Sequence, residues 1–261
     1  MFDILIQSKP VWADIIRGGL DHSTFNITFC DQGFARRDLE DFDAVCPLDL
    51  IGWRDLMRAT DQRPLANALV PAPQTVMQVE DKAALFGFLA QQGFQDLIPP
   101  MGEAMRFPAV VKPARGVWGR GAHIVTSAQD LQRVLAQTDP GAHVVQSLIP
   151  GAIEYGTHLL CQDGKVLFDL TFENLMAKPN LIRGQDHWPL QRRQVATPHL
   201  DRFAQIVAAL NFTGPCNFDY KIREGRPQIF EINPRCGGSL MYGFNAYLAR
   251  YVAAVQRPLA A

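Results

Sequence analysis

Apolar and polar residues alternate most regularly between positions 217 and 235. Phe218, Tyr220 and Ile222 form one period-two run, and Ile229, Phe230 and Ile232 supply the apolar positions of a second. The turn-forming stretch Glu224-Gly225-Arg226-Pro227 separates them, so the pattern predicts a β-hairpin. With the turn centred on Gly225, Phe218 faces Ile232 and Tyr220 faces Phe230 on one apolar side. The opposite side then sets Asp219 across from Glu231, with Asn233 two residues further along.

Residues 1–75 alternate strand-like and helix-like stretches at 4–7, 11–20, Phe25–Cys30 and 43–46, which predicts a small α/β lobe around a parallel sheet. Pro71 and Pro73 punctuate its end. Residues 81–93 predict a helix, apolar at Leu85, Phe88 and Leu89 and stopped by Gly93. From Phe107 the pattern turns to strands at 109–112 and 122–126. A helix with Ser127 as its cap and Asp130 three residues on comes next, then a strand at 144–149. Strands at 155–162 and 165–172 flank Asp163-Gly164, a strong hairpin signal. Residues 178–198 are polar and without period, which predicts a long loop, functional or disordered. A helix at 201–210 places Phe203, Ile206, Val207 and Leu210 on one face, and 240–255 forms a last amphipathic stretch.

The 261 residues, 48% hydrophobic and 20% charged, suffice for one large domain or two to three small lobes. A net charge of -1 gives no electrostatic case for nucleic acid or an anionic membrane as partner. The five cysteines are scattered without C-x-x-C spacing and read as reduced residues rather than a disulfide frame or zinc site. The first seven residues lack the basic and long apolar regions of a secretion signal, and no apolar run nears the roughly 18 residues of a membrane span. The expectation is a soluble, cytoplasmic protein.

Asp219, Glu231 and Asn233 are the first candidates for chemistry. Carboxylates opposed across a hairpin repel, and a cation between them removes the repulsion. Two carboxylates and an amide oxygen suit a hard ion such as Mg²⁺ held together with substrate phosphates. A hairpin with a solvated charged face fits the same residues. Lys112-Pro113-Ala114-Arg115-Gly116-Val117-Trp118-Gly119-Arg120-Gly121 follows an apolar strand, and glycines at this density let backbone N–H groups approach an anion. An ordinary glycine-bearing turn is the alternative. Lys82 opens its helix, where a cation opposes the macrodipole unless a phosphate sits beside it. Gln146-Ser147-Leu148-Ile149 runs into a Pro-Gly turn and ends on Glu154, a strand end and a carboxylate placed to meet a base and a ribose. There is no Walker motif, no dinucleotide fingerprint, no G-x-S-x-G elbow and no paired-histidine metal motif. Arg183, Arg192 and Arg193 form a basic cluster in the long loop, as a solvated face or as a cover over an anionic intermediate.

Taken in order, these segments resemble the ATP-grasp superfamily over about residues 70–250. Glu231-Ile232-Asn233-Pro234-Arg235 is the most specific match. The resemblance implies an α/β (α+β) fold in which a short N-terminal α/β lobe precedes two α+β lobes clasping ATP between antiparallel sheets. The implied boundaries are 1–75 for the first lobe, 76–105 for a linker and helix, 106–150 for the small nucleotide lobe and 151–261 for the large lobe. It implies that Lys82 and Lys112 hold phosphates, that Gly116, Gly119, Arg120 and Gly121 form the phosphate loop, and that Gln146, Ser147, Leu148 and Ile149 are the adenine hinge. Glu154 would bind ribose, and Asp219, Glu231 and Asn233 would bind Mg²⁺ or Mn²⁺. Arg235 would stabilise charge on the transferring group with Lys112, while Arg193, Gly237, Gly238 and Ser239 would meet substrate. The implied activity is ATP-dependent ligation of a small carboxylate to an amine through an acyl phosphate. A small-molecule kinase and a non-catalytic nucleotide-binding protein are the rivals. The chain departs from the family pattern at Trp118, and in Gln7-Ser8-Lys9-Pro10, which lacks the glycine-rich signature of D-alanine–D-alanine ligases and argues against that activity.

Overall fold

The structure, a computed structural model, describes residues 1–116, 118–139, 141–184 and 188–256. It opens with β1 (Phe2–Gln7), α1 (Pro10–Gly19), β2 (Phe25–Cys30) and β3 (Ala44–Cys46), whose strands form a parallel sheet in the order β2-β1-β3. Two helices absent from the sequence reading follow: α2 (Leu50–Ala59), capped by the Asp49 side chain on the Ile51 and Gly52 amides, and α3 (Pro73–Glu80). Pro73 opens α3 instead of ending the lobe, because a proline in the first turn gives up an amide that no helix would satisfy. The expected helix at 81–93 is α4 (Lys82–Gln91), with Asp81 as its cap.

A second, antiparallel sheet holds β5 (His123–Val125), β4 (Ala109–Pro113) and β6 (His143–Ser147) in that order, backed by α5 (Ala128–Leu135). The Ser127 hydroxyl accepts from the Asp130 amide, as the capping pattern predicts. The largest sheet is antiparallel in the order β11-β10-β7-β8-β9: β7 (Ile153–Gln162), β8 (Lys165–Leu175), β9 (Gln191–Val195), β10 (Gly214–Arg223) and β11 (Arg226–Asn233). β9 falls inside the segment expected to be loop. It is polar on both faces and so carries no alternation to reveal it. Residues 185–187 of that segment and 257–261 of the expected large lobe lie outside the described residues.

One face of the large sheet packs on α4 and α6 (Leu200–Ala209), with Phe203, Phe218, Tyr220 and Ile232 fully or almost fully buried. The final helix, α7 (Phe244–Val255), packs on Leu160, Leu170 and Phe172 of the large sheet and also on the N-terminal sheet. Tyr247, Leu248, Tyr251 and Val252 share a core with Ile4, Ile6, Ala44 and Cys46 of the N-terminal sheet, so packing crosses the expected lobe boundaries. The Tyr251 hydroxyl donates to Val45 O and accepts from Leu69 N, both at 2.8 Å, in a fully buried setting. Tyr251→Phe leaves those backbone groups unpaired and is expected to destabilise the fold by about 1–3 kcal/mol. Urea unfolding measures it, and a loss well under that range would show the contact to be dispensable.

The hairpin turn is tighter than the expected one. Glu224 and Gly225 both have positive φ, and Arg223 pairs with Arg226, so a two-residue turn replaces one centred on Gly225. Tyr220 therefore pairs with Ile229, not with Phe230 as the alternation implied. A bulge between Asp219 and Tyr220 then restores the missing residue, and Asp219 meets Glu231 after all.

Candidate active site

Side chains on a strand alternate between faces, and this places the candidate residues on one floor. Asn217, Asp219 and Lys221 from β10, Glu154 and His158 from β7, Arg192 from β9, and Glu231 and Asn233 from β11 all line a cavity of about 280 Å³ beneath the small sheet. The cavity also takes in Lys82, Lys112, Gly116, Gly119, Arg120, Gln146, Ser147, Leu148, Ile149, Arg235, Gly237, Gly238 and Ser239. Two expected residues fall outside its lining. Gly121 keeps a structural role, with φ +71 and space for a Cβ closed by Pro113. Arg193 points from the opposite face of β9, 62% exposed, and pairs with Glu173 at 2.7 Å. Its neighbour Arg192 faces the cavity in its place.

Lys82 is buried and pairs with Glu231 at 3.1 Å. Its backbone amide donates to Ala114 O at 2.9 Å, which fixes the start of α4 against the glycine-bearing loop. The bulge exposes the carbonyl of Phe230, which accepts from Lys112 Nζ at 2.9 Å, and the rings of Phe86 and Phe230 flank the same ammonium. Burial pushes the Lys112 ammonium down to about 7. Burial lifts the Asp219 carboxyl to about 6 even though Arg183 opposes the rise. Burial would also lift Glu231, but Lys82 and the Asn233 amide hold it well below the usual carboxylate range.

Asn233 Nδ2 donates to Asp219 Oδ2 at 3.2 Å and to Glu231 Oε1 at 3.0 Å, so the three side chains converge. Among the described residues no group of three or more His, Cys, Asp or Glu could hold a metal ion. A cation here would rest on two carboxylates and oxygens brought by a substrate, a donor set that fits Mg²⁺ or Mn²⁺, and Asn233 would add its Oδ1 on turning its amide away from Arg235.

Residues 181–184 and 188–189, between β8 and β9, line the cavity from above this floor. Arg183 pairs with both Glu154 and Asp219, so a guanidinium stands between the expected ribose and metal carboxylates. At Gly184, φ +93, a Cβ would meet the backbone of Trp118 at 3.0 Å. The Trp118 and Trp188 rings pack edge to face with centroids 5.8 Å apart. The bulky residue that departs from the family's small loop thus clasps the cover of the cavity. Lys221 donates to Ile149 O at 3.2 Å and Pro179 O at 3.4 Å, tying the hinge to the start of the cover.

Sequence reasoning passed over Lys9, Trp12, His158, Asn217 and Lys221, all of which line the cavity. Asn217 and Lys221 flank Asp219 at a spacing of two, a signal that was present. Lys9 and Trp12 arrive from the N-terminal lobe and carry no local sign. Lys9 is held by Asp49 at 2.8 Å and lies 3.7 Å from the Trp12 ring centre.

A family model described as an ATP-grasp domain matches residues 65–239. The carbamoyl phosphate synthase large chain of Mesorhizobium japonicum is 24% identical over 165 residues, which cover 52% of this chain and 14% of that protein. The C-terminal section of the same enzyme's large chain from Methanocaldococcus jannaschii is 23% identical over 144 residues, covering 52% of this chain and 23% of its own. The chain therefore spans a small part of these relatives. Among solved structures, D-alanine–D-alanine ligase from Bacillus anthracis complexed with ATP has a TM-score of 0.62 at 14% identity, covering 97% of this chain and 95% of that one. Biotin carboxylase from Campylobacter jejuni has a TM-score of 0.66 at 13% identity, covering 99% and 72%. These likenesses are of fold. With the family model matched across the small sheet, the hinge and the carboxylate hairpin, the chain belongs to the ATP-grasp family.

Proposed function

We propose that the protein is an ATP-dependent ligase that activates a small carboxylate as an acyl phosphate and joins it to an amine or other nucleophile. The observation that carries this reading is the pairing of Asp219 with Glu231 across β10 and β11 on a cavity floor that also holds Lys82 and Lys112. Asp219, Glu231 and Asn233 would hold Mg²⁺ or Mn²⁺, which when bound neutralises phosphate charge. Phosphoryl transfer depends mainly on positioning and charge neutralisation, and the chain supplies both. Lys82 and Lys112 face the phosphates, and the hinge at 146–149 with Lys221 takes the base.

In the first step a substrate carboxylate oxygen bonds to the γ-phosphorus, the bond to the bridging oxygen breaks, and ADP leaves with that electron pair. Arg235, oriented by Asn233 Oδ1 at 3.0 Å, is placed to offset charge on the transferring group. In the second step the nucleophile's nitrogen bonds to the acyl carbon, phosphate leaves, and the nitrogen loses a proton. The cover carrying Arg183 and Trp188 keeps water from an intermediate that water would hydrolyse.

The test is ADP release across a panel of amino acids and other small carboxylates, with and without amines. Release that needs both a carboxylate and a nucleophile supports ligation. A stable phosphorylated product points to a kinase, and nucleotide binding without ADP across the panel ends the enzymatic reading.

The buried Lys112 makes a further prediction. At pH 8 an ammonium depressed to about 7 is mostly neutral. Nucleotide phosphates favour its charged form, so binding of magnesium ADP is expected to take up roughly one proton at pH 8 and less at pH 7. Calorimetric titration in buffers of different ionisation heat reads the uptake, and Lys112→Met is expected to lose it. No uptake by the wild type at pH 8 would remove Lys112 from the phosphate site.

A further inference from the structure

The cavity wall carries more positive charge than a nucleotide end uses. Its described carboxylates, Glu154, Asp219 and Glu231, are answered by Arg183 and Lys82. Lys112 and Arg120 stand by the glycine-bearing loop, Lys221 stands by the hinge, and Lys9 is paired with Asp49. Arg192 and Arg235 remain, and among the described residues neither has a carboxylate partner. Arg235 Nη2 donates to Asn233 Oδ1 at 3.0 Å and Nη1 to Cys236 O at 3.4 Å, which puts it beside the carboxylate hairpin. Arg192 Nε donates to Asn174 Oδ1 at 2.8 Å, and its guanidinium lies 5.6 Å from the Tyr242 ring centre. Arg192 is oriented by neutral groups alone, and Arg235 shares Glu231 with the closer Lys82, so among the described residues neither has a carboxylate of its own.

A separate observation marks the same end of the cavity as built for polar ligand atoms. His158 and Asn217 are cross-strand neighbours, 2% and 5% exposed. His158 Nδ1 and Asn217 Oδ1 are buried without a hydrogen-bond partner, a rare and costly condition. Burial and the guanidiniums of Arg183, Arg192 and Arg235 push His158 down to about 3, so this imidazole is neutral and adds no charge of its own. Of the three guanidiniums that act on it, Arg183 is already paired with Glu154 and Asp219, and Arg192 and Arg235 keep the planar donor forks that match a carboxylate.

We propose that the acid substrate is a dicarboxylate, an acidic amino acid included, whose second carboxylate Arg192 binds while Arg235 faces the reacting one. The inference rests on the ligase reading for the role of the first carboxylate, but Arg192's preference for a diacid is measurable without turnover. Arg192 is then a specificity-determining residue at the edge strand that the sequence pattern hid.

The experiment is calorimetric binding to protein saturated with magnesium and a non-hydrolysable ATP analogue. The ligands come in pairs that differ by one charge: glutamate and glutamine, aspartate and asparagine, glutarate and glutaramate, with phosphoserine and serine as a phosphate arm. At least one diacid is expected to bind about 10- to 100-fold tighter than its amide, and Arg192→Gln is expected to bring that ratio near one. Arg192→Lys is expected to keep part of it. If Arg192 only braces Asn174 and Tyr242, Arg192→Gln weakens both members of a pair alike and the ratio survives, which overturns the proposal. So does a panel in which no diacid exceeds its amide, or one in which only the phosphate arm discriminates. Diacid preference lost in Arg192→Gln without ADP release on adding amines would instead refute the ligase reading and leave the anion site standing.

Discussion

Glu231→Gln is expected to lower ADP release by at least about 10²–10³-fold, the scale on which enzymes lose rate when one group that stabilises developing charge is removed. The substitution keeps the shape of the side chain and an oxygen for Lys82 Nζ, which the carboxylate meets at 3.1 Å. Lys82 is itself buried, so alanine would also strand an ammonium and confuse a chemical effect with a folding one. With glutamine, the cross-strand pair with Asp219 loses half its negative charge, and Arg183 becomes a stronger competitor for the carboxylate that remains. Single-turnover phosphate transfer, with circular dichroism to check the fold, measures the effect. A Glu231→Gln protein that turns over within a few-fold of wild type would end the metal assignment and with it the main support for ligation.

That pair of carboxylates was legible in the sequence, though not for the reason the alternation suggested. The turn is one residue tighter than a turn on Gly225, and taken alone it would have moved Glu231 out of register with Asp219. A bulge returns the register and turns Phe230 O toward Lys112. Period-two patterns report which face a residue takes, and they are silent about bulges. The same limit explains the exchange of Arg193 for Arg192. In Gln191-Arg192-Arg193-Gln194-Val195 one face meets a polar cavity and the other meets solvent, so hydrophobicity cannot tell the two apart. The run Phe218, Tyr220 and Ile222 was found because its apolar side chains pack in the core while Asp219 and Lys221 between them face a polar cavity. Long-range packing was hidden for another reason. The Tyr251 hydroxyl reaches Val45 and Leu69 across 206 and 182 residues, and an amphipathic helix says only that it has a partner. Lys9 and Trp12 come to the cavity by that same docking of the N-terminal lobe.

Gly237 and Gly238 stand side by side in the sequence and look equivalent there, but they are expected to answer alanine in opposite ways. The Gly237 backbone has φ -90, which any residue adopts, so no conformational strain enters. A Cβ at Gly237 would lie 2.5 Å from His158 Cε1 and 3.1 Å from both His158 Nδ1 and Asn217 Cγ. Neither neighbour is the free end of a flexible chain: His158 is 2% exposed and hydrogen-bonded to Ser239 at 2.7 Å, and Asn217 adjoins Asp219 on the floor. At Gly238 the nearest atom to a Cβ is Trp12 Cζ2 at 3.7 Å, an ordinary contact. Gly237→Ala is therefore expected to displace the floor by a sizeable fraction of an ångström and to reduce kcat/KM by about 10²-fold, as misplacements near 1 Å do. Its stability is expected to fall by about 1–3 kcal/mol, the usual cost of overpacking. Gly238→Ala is expected to stay within a few-fold of wild type in both measures. Steady-state kinetics and thermal unfolding on the two variants decide the matter. Equal losses, or a larger loss at Gly238, would show that His158 and Asn217 do not form the wall of the substrate end.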